Sequence, residues 1–256
     1  MLMSKLKNVV VIFDSGVGGL SYFDYISKRF VTRNYVYIAD NKNFPYGEKN
    51  PDFILKEIVK LILKLERMYD ISSIVIACNT ASISVYDKLN FSFPIIYTLP
   101  SVSLVKELAC KRVILIATNS TINSEFVLRE KNCHWDLVVK SASELVNFVE
   151  YGDRFKSDAF KYLKFLKLEV RSSRRDMVFL GCTHYLHIKD MIESFLEIPV
   201  YENRELVINE LSKVLEAIDS NHNYCTRYFY LTQNGNLCFY KNFFKRYGFH
   251  FKGIIN

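Results

Sequence analysis

No CxxC pair occurs in this chain, no apolar run approaches the length of a membrane span, and no acidic residue lies between positions 220 and 256. The first absence removes the usual zinc and redox dithiol spacings. Six cysteines, at 78, 110, 133, 182, 225 and 238, are scattered over 256 residues. They read as reduced thiols of a cytoplasmic protein, not as a disulfide framework. The second absence argues against a membrane protein. Before Asp14 there are only five consecutive apolar residues and no small-residue cleavage site follows, so a secretory leader is not expected. Two nucleotide signatures are missing as well. Gly16-Val17-Gly18-Gly19 falls short of GxGxxG, and no GxxxxGK followed by Ser or Thr is present. No lysine stands out as a Schiff-base partner for pyridoxal.

What is present supports a large core: half the residues are hydrophobic and 15% are aromatic, which excludes global disorder. The net charge of +7 is concentrated in two places. Residues 154–175 hold eight Lys or Arg against Asp158 and Glu169, and the acid-free tail holds Arg227, Lys241, Lys245, Arg246 and Lys252. Basic residues among aromatics raise a nucleic-acid reading. The alternation in Tyr228-Phe229-Tyr230-Leu231 instead reads as core, with the lysines on a solvated face, so no nucleic-acid partner is expected.

Strand-like and helix-like segments alternate along the chain. Val9–Phe13, Tyr35–Ile38, Ile74–Ala77, Pro94–Tyr97, Val113–Ala117, Trp135–Val139, Val178–Leu180, Val200-Tyr201 and Tyr228–Leu231 read as strands. Helices are expected over Leu20–Phe30, from Pro51 or Asp52, over Ala81–Leu89, Glu144–Tyr151, Ser157–Arg171, Ile188–Leu196, Glu205–Ile218 and finally Leu237–Tyr247, with a linker at Asp219–Asn223. Such alternation predicts an α/β fold with mainly parallel sheets. A coarse repeat relates positions 9–97 to 113–201. It predicts two pseudo-symmetric α/β domains with the active site in the cleft between them: 1–97 plus about 206–256, and about 98–205.

Four predicted strand ends carry polar groups: Asp14-Ser15-Gly16, Cys78-Asn79-Thr80, Thr118–Thr121 and Cys182-Thr183-His184. Ligands of open α/β sheets bind at such carboxyl ends, and the helix N-termini that follow offer N–H groups to an anion. The two cysteine turns share one local pattern, an apolar strand, a small residue, then Cys followed by hydroxyl, amide or imidazole groups. One thiolate and one thiol on opposite faces of a carbon would invert it. If the ligand is an amino acid, that task is the removal and return of its α-hydrogen. Asp14 beside one thiol, and His184 or Glu150 beside the other, would assist the proton transfers. Taken singly, each cysteine reads as a buried inert thiol, Asp14 as a helix cap, and Cys182 with His184 as metal ligands. The paired context favours chemistry, and no second ligand pair at zinc spacing exists, so no metal and no cofactor are expected. Cys110, Cys133, Cys225 and Cys238 read as structural, and His187, His222 and His250 have no supporting constellation.

Asp14-Ser15-Gly16-Val17-Gly18-Gly19-Leu20, Pro45-Tyr46-Gly47, Cys78-Asn79-Thr80-Ala81-Ser82 and Gly181-Cys182-Thr183-His184-Tyr185, in this order and spacing, resemble the glutamate racemase family. The resemblance covers nearly the whole chain. It implies a cofactor-independent, two-thiol interconversion of L- and D-glutamate that supplies D-glutamate for bacterial peptidoglycan. It further implies that Cys78 acts on the D-isomer with Asp14, and Cys182 on the L-isomer with His184 and Glu150. Asp14, Ser15, Pro45, Tyr46, Gly47, Cys78, Asn79, Thr80, Thr121, Cys182, Thr183 and His184 become the substrate shell. A homodimer is expected, because dimers are the commonest symmetric assembly. The chain departs from the family pattern at Asn43 (often basic), Ala117 (usually glycine), Leu186 (usually proline) and Glu202-Asn203 (a later Asp-Ser pair). Competing readings are a racemase for aspartate or a hydantoin on the same architecture, and an amino-acid-binding module that has lost catalysis.

Overall fold

The computed structural model describes residues 5–105, 111–216 and 225–256. In chain order the first stretch runs β1 (Leu6–Asp14), α1 (Leu20–Arg29), β2 (Asn34–Ala39), a 3-10 turn (Tyr46–Glu48), α2 (Pro51–Met68), β3 (Tyr69–Ile76), α3 (Asn79–Val85) and β4 (Ile95–Tyr97). A second stretch holds β5 (Val113–Ala117), α4 (Asn119–Ile122), α5 (Glu125–Cys133), β6 (Leu137–Ser141), α6 (Ser143–Tyr151), α7 (Lys156–Ser172), β7 (Met177–Gly181), a 3-10 turn (Thr183–Ile188), α8 (Lys189–Leu196) and β8 (Val200–Tyr201). Then come α9 (Arg204–Leu215), β9 (Arg227–Leu231), α10 (Leu237–Lys245) and β10 (His250–Ile254). Among the described residues, no helix is long and apolar enough to cross a membrane.

These elements form two compact units, residues 1–98 with 204–256, and residues 99–203. The first unit carries a six-stranded sheet in the order β10-β9-β2-β1-β3-β4, the second a four-stranded sheet in the order β6-β5-β7-β8. Every pairing is parallel. The order β2-β1-β3-β4 is repeated as β6-β5-β7-β8, so the coarse sequence repeat is a repeat of topology. In this winding the chain reverses direction across the sheet between its first and third strands. That reversal opens the crevice at which doubly wound sheets bind ligands. Asp14 ends one of the two strands flanking it in the first unit and Cys78 lies just past the other, while Thr118 and Cys182 follow those in the second.

Parallel strands covered on both faces need continuous apolar runs, and β1 supplies one: Val9 through Phe13 are essentially inaccessible. The long helix α2 starts where Asn50 accepts the Asp52 N–H at 2.8 Å with Pro51 at its first position, a cap worth about 1 kcal/mol. It buries Ile54, Ile58, Leu61, Ile62 and Leu65 on one face. The tail aromatics are spent on the core. Phe229 stacks on Phe244 with centroids 4.2 Å apart, and Tyr37 meets Phe244 edge-on.

Several expectations shift. α3 begins at Asn79, directly after Cys78, and not at Ala81. The polar turn Thr118–Thr121 contains the short helix α4, and α10 stops at Lys245. β10 is a strand where none was expected; its burial alternates between exposed and half-buried at the sheet edge, and Lys252-Gly253 interrupts its pattern. Of the cysteines read as structural, Cys133 and Cys238 are exposed and Cys225 is half-buried, its thiol donating to the Arg33 carbonyl. Cys110, His222, the linker at Asp219–Asn223 and the end of the predicted helix at 217–218 lie outside the described residues.

Candidate active site

In the first unit β1 and β3 run in register, with Phe13 beside Ile76, and the Ala77 N–H donates to the Phe13 carbonyl at 2.8 Å. Asp14-Ser15 and Cys78 therefore leave the sheet side by side, and Ser15 Oγ lies 3.9 Å from Cys78 Sγ. Asp14 is fully buried and accepts the Gly16 N–H at 2.8 Å. It shapes this turn and does not cap α1, whose N-cap is Gly19. Gly19 must be glycine for steric reasons. A Cβ there would come within 2.8 Å of the Tyr37 hydroxyl, 2.9 Å of Ala77 Cβ and 3.0 Å of Asp14 Cβ.

The Cys78 turn is clamped from β4. Thr98 donates its hydroxyl to the Ile76 carbonyl at 2.9 Å and also contacts the Ala77 carbonyl. Ser82 donates to the Ile76 carbonyl at 2.7 Å and accepts the Thr98 N–H at 2.9 Å. Asn79 donates its amide to the Thr98 carbonyl at 2.8 Å. Cys78 occupies the N-cap position of α3 and is only 7% exposed. Thr80 is buried one residue after Asn79.

Tyr46 is buried and flanked by the half-buried Pro45 and Gly47; the Phe44-Pro45 peptide is cis. Its hydroxyl donates to Asp40 Oδ2 at 2.5 Å. Burial, then the Asp40 charge and hydrogen bond, hold the phenol well above its ordinary range. Asn43, at the position where the family pattern is often basic, also donates to Asp40, at 2.9 Å to Oδ2.

The second unit repeats the arrangement. Ala117 of β5 pairs with Gly181 of β7, so Thr118 and Cys182 emerge together. A Cβ on Gly181 would lie 2.9 Å from Leu115 Cδ1 and 3.0 Å from Ala117 Cβ. Ala117, a departure from the family's glycine, thus fits because its neighbour is glycine. Thr118 donates its hydroxyl to Thr121 Oγ1 at 3.0 Å, and Thr121 and Thr183 are both buried. His184 Nε2 lies 3.0 Å from Glu150 Oε2, in the last turn of α6. Burial disfavours the imidazolium, but hydrogen bonds to Cys182 and Glu150 and their charges outweigh it and raise the His184 pKa well above the ordinary value. Tyr185 is fully buried, donates to the Ala142 carbonyl at 2.9 Å, and is held high by burial and then by the Cys182 charge. Asn203, another departure, donates its amide to the Leu99 carbonyl.

The predicted residues thus fall into two groups. Asp14, Ser15, Tyr46, Cys78, Asn79 and Thr80 belong to the first unit, and Thr121, Glu150, Cys182, Thr183 and His184 to the second. Sequence reasoning missed Asp40, Ser82, Thr98 and Tyr185 as structural partners. Asp40 and Thr98 do carry a signal, since each directly follows a strand. Among the described residues, no three His, Cys, Asp or Glu side chains are grouped to hold a metal ion.

No family model matches the chain. A glutamate racemase of Borreliella burgdorferi is 55% identical over 99% of this chain and 100% of its own length. The chain belongs to the glutamate racemase family. A second member, from Buchnera aphidicola subsp. Schizaphis graminum, is 34% identical over 86% of this chain and 90% of its own. Among solved structures of the family, Escherichia coli glutamate racemase in complex with L-glutamate and the activator UDP-MurNAc-Ala matches with TM-score 0.81. It is 24% identical and covers 97% of this chain and 98% of its own. The Francisella tularensis enzyme with D-glutamate matches with TM-score 0.76, 25% identity and 98% coverage of both chains. Aspartate racemase of Picrophilus torridus matches less well, with TM-score 0.57 and 18% identity, covering 81% of this chain and 93% of its own. The family's fold is the α/β architecture described above.

Proposed function

We propose that this member of the glutamate racemase family interconverts L- and D-glutamate with two thiols and no cofactor. The observation that carries the reading is the repeated placement of Cys78 and Cys182. Each follows the third strand of a sheet with the same strand order, at the crevice end, beside the polar turn of the first strand. Full-length likeness to glutamate racemases, closer in fold than to the aspartate racemase, names glutamate as substrate.

A free thiol has a pKa of about 8.5 and is mostly protonated at neutral pH, so a thiolate base needs neighbours that stabilise it. For Cys182 that neighbour is His184, whose imidazolium is held by Glu150. In the L-to-D direction the Cys182 thiolate takes the α-proton, and the electron pair left on Cα delocalises toward the carboxylate. The Cys78 thiol then donates its proton to the opposite face. The turnover ends with a Cys182 thiol, a Cys78 thiolate and D-glutamate; the reverse direction uses the same steps backwards. Asp14 assists Cys78, as His184 and Glu150 assist Cys182. Ser15, Asn79, Thr80, Thr121, Thr183 and the Pro45-Tyr46-Gly47 loop hold the substrate's carboxylates and ammonium.

The product serves peptidoglycan synthesis in the cytoplasm, and the working assembly is a homodimer. The test is incubation of the pure, chelator-dialysed protein with L-glutamate in D2O without added cofactor. D-Glutamate carrying deuterium at Cα supports the reading. Loss of activity restored only by a metal or pyridoxal phosphate sinks the cofactor-free mechanism, and absence of exchange sinks the activity.

A further inference from the structure

Asp40 stands directly after β2, fully buried, and its carboxylate takes no part in the proton transfers proposed above. Oδ2 accepts from the Tyr46 hydroxyl at 2.5 Å and from Asn43 Nδ2 at 2.9 Å. Oδ1 accepts from the Thr232 hydroxyl at 2.6 Å and from Asn43 Nδ2 at 3.2 Å. Every one of these partners donates, so the group acts as an acceptor-only carboxylate. Its backbone is engaged too. The Asp40 N–H donates to the Asp14 carbonyl at 2.9 Å, and the Asp40 carbonyl accepts the Asn43 N–H at 3.1 Å.

Thr232 comes from the turn after β9, 192 positions away in sequence. That turn is latched to the same loop: the Lys42 N–H donates to Thr232 Oγ1 at 3.0 Å, and Asn41 Oδ1 accepts the N–H groups of Thr232 and Gln233, each at 3.0 Å. Asp40 therefore ties residues 41–47 to two rigid strand ends. A phenol has one proton, and Tyr46 has committed it to Asp40.

We infer that Asp40 is a positioning residue for the Pro45-Tyr46-Gly47 loop, and that the Tyr46 hydroxyl serves Asp40 and not the substrate. The loop's contribution to glutamate binding then comes from its backbone and its shape. The inference deepens the proposed function, because it rests on this loop holding the substrate.

Removing a buried acceptor leaves several donors unsatisfied, each costly. Asp40→Asn keeps the volume and replaces one acceptor oxygen with a donor. It should raise the KM for glutamate about tenfold while kcat changes less than about threefold. Amide hydrogen exchange should quicken in residues 41–49 and stay unchanged in β1 and β3. Thr232→Val, which deletes one of the donors to Asp40 and the acceptor of the Lys42 N–H, should move both readouts the same way but less, and serves if Asp40→Asn does not fold. In the double variant Asp40→Asn/Tyr46→Phe, KM should be no higher than in the worse single variant. Unchanged exchange in 41–49, or a fall in kcat at constant KM, overturns the positioning role. Additive KM effects place the Tyr46 hydroxyl on the substrate and overturn the second half. Should the wild-type protein fail to racemise glutamate, the functional reading falls alone, and the exchange pattern still decides whether Asp40 holds the loop.

Discussion

Glu150 Oε2 and His184 Nε2 lie 3.0 Å apart with 2% and 3% of their side chains exposed. A carboxylate and an imidazole so far from water must share charge to be tolerated. In the proposed mechanism this pair stands beside Cys182, and the imidazolium that Glu150 holds is the counter-charge a thiolate requires.

Cys78→Ser and Cys182→Ser should each lower racemisation by about 10²–10⁴-fold or more, with an unchanged circular-dichroism spectrum. A hydroxyl fills the space of the thiol but is a far weaker acid. Near wild-type turnover in either variant, followed by polarimetry, would remove the two-thiol mechanism.

His184→Asn should impair abstraction from L-glutamate more than abstraction from D-glutamate. The equilibrium ratio of isomers cannot change, so the asymmetry has to be sought in primary isotope effects on α-deuterated L- and D-glutamate, measured separately. Effects from both isomers that match the wild type would reduce His184 to holding Glu150.

Glu150→Gln should alter stability in a pH-dependent way. His184 has a folded pKa raised above its unfolded value of about 6.5. Such a group stabilises the fold fully below the unfolded pKa and loses that contribution as pH rises through the folded one. The wild type should thus exceed Glu150→Gln most below about pH 6.5, and the gap should close in alkaline solution. Thermal melts of both proteins across pH check this. A gap that widens with pH would contradict the imidazolium assignment.

Gly19→Ala should cost about 1–3 kcal/mol, because its Cβ would meet the Tyr37 hydroxyl, Ala77 Cβ and Asp14 Cβ within 3.0 Å. The accompanying fall in Tm would be about 2–4 °C per kcal/mol. Since Asp14 is one of the three contacts, activity should drop as well. An unchanged melting temperature would show that the turn can yield.

The strand-end turns were legible in the sequence because their signal is local. An apolar strand run, a small residue and a reactive side chain stand next to one another, as in Val75-Ile76-Ala77-Cys78 and Phe179-Leu180-Gly181-Cys182. The α/β class was legible for the same reason, as compact apolar runs alternating with segments of helical period. Burial of β1 and the parallel pairing follow from those runs. The edge strand β10 was not legible, because an edge strand with alternating exposed residues has no run to read.

Only the tertiary structure decided which polar groups share a partner. Asp40 and Thr232 are 192 positions apart, and Glu150 and His184 are 34 apart on different elements. Asn79 reaches Thr98 only because β4 lies beside β3. A carboxylate, a hydroxyl or an imidazole has the same local appearance whether it faces water, backbone or another charge. Its role is set by desolvation and by distances of about 3 Å, and those exist only once the sheets have assembled.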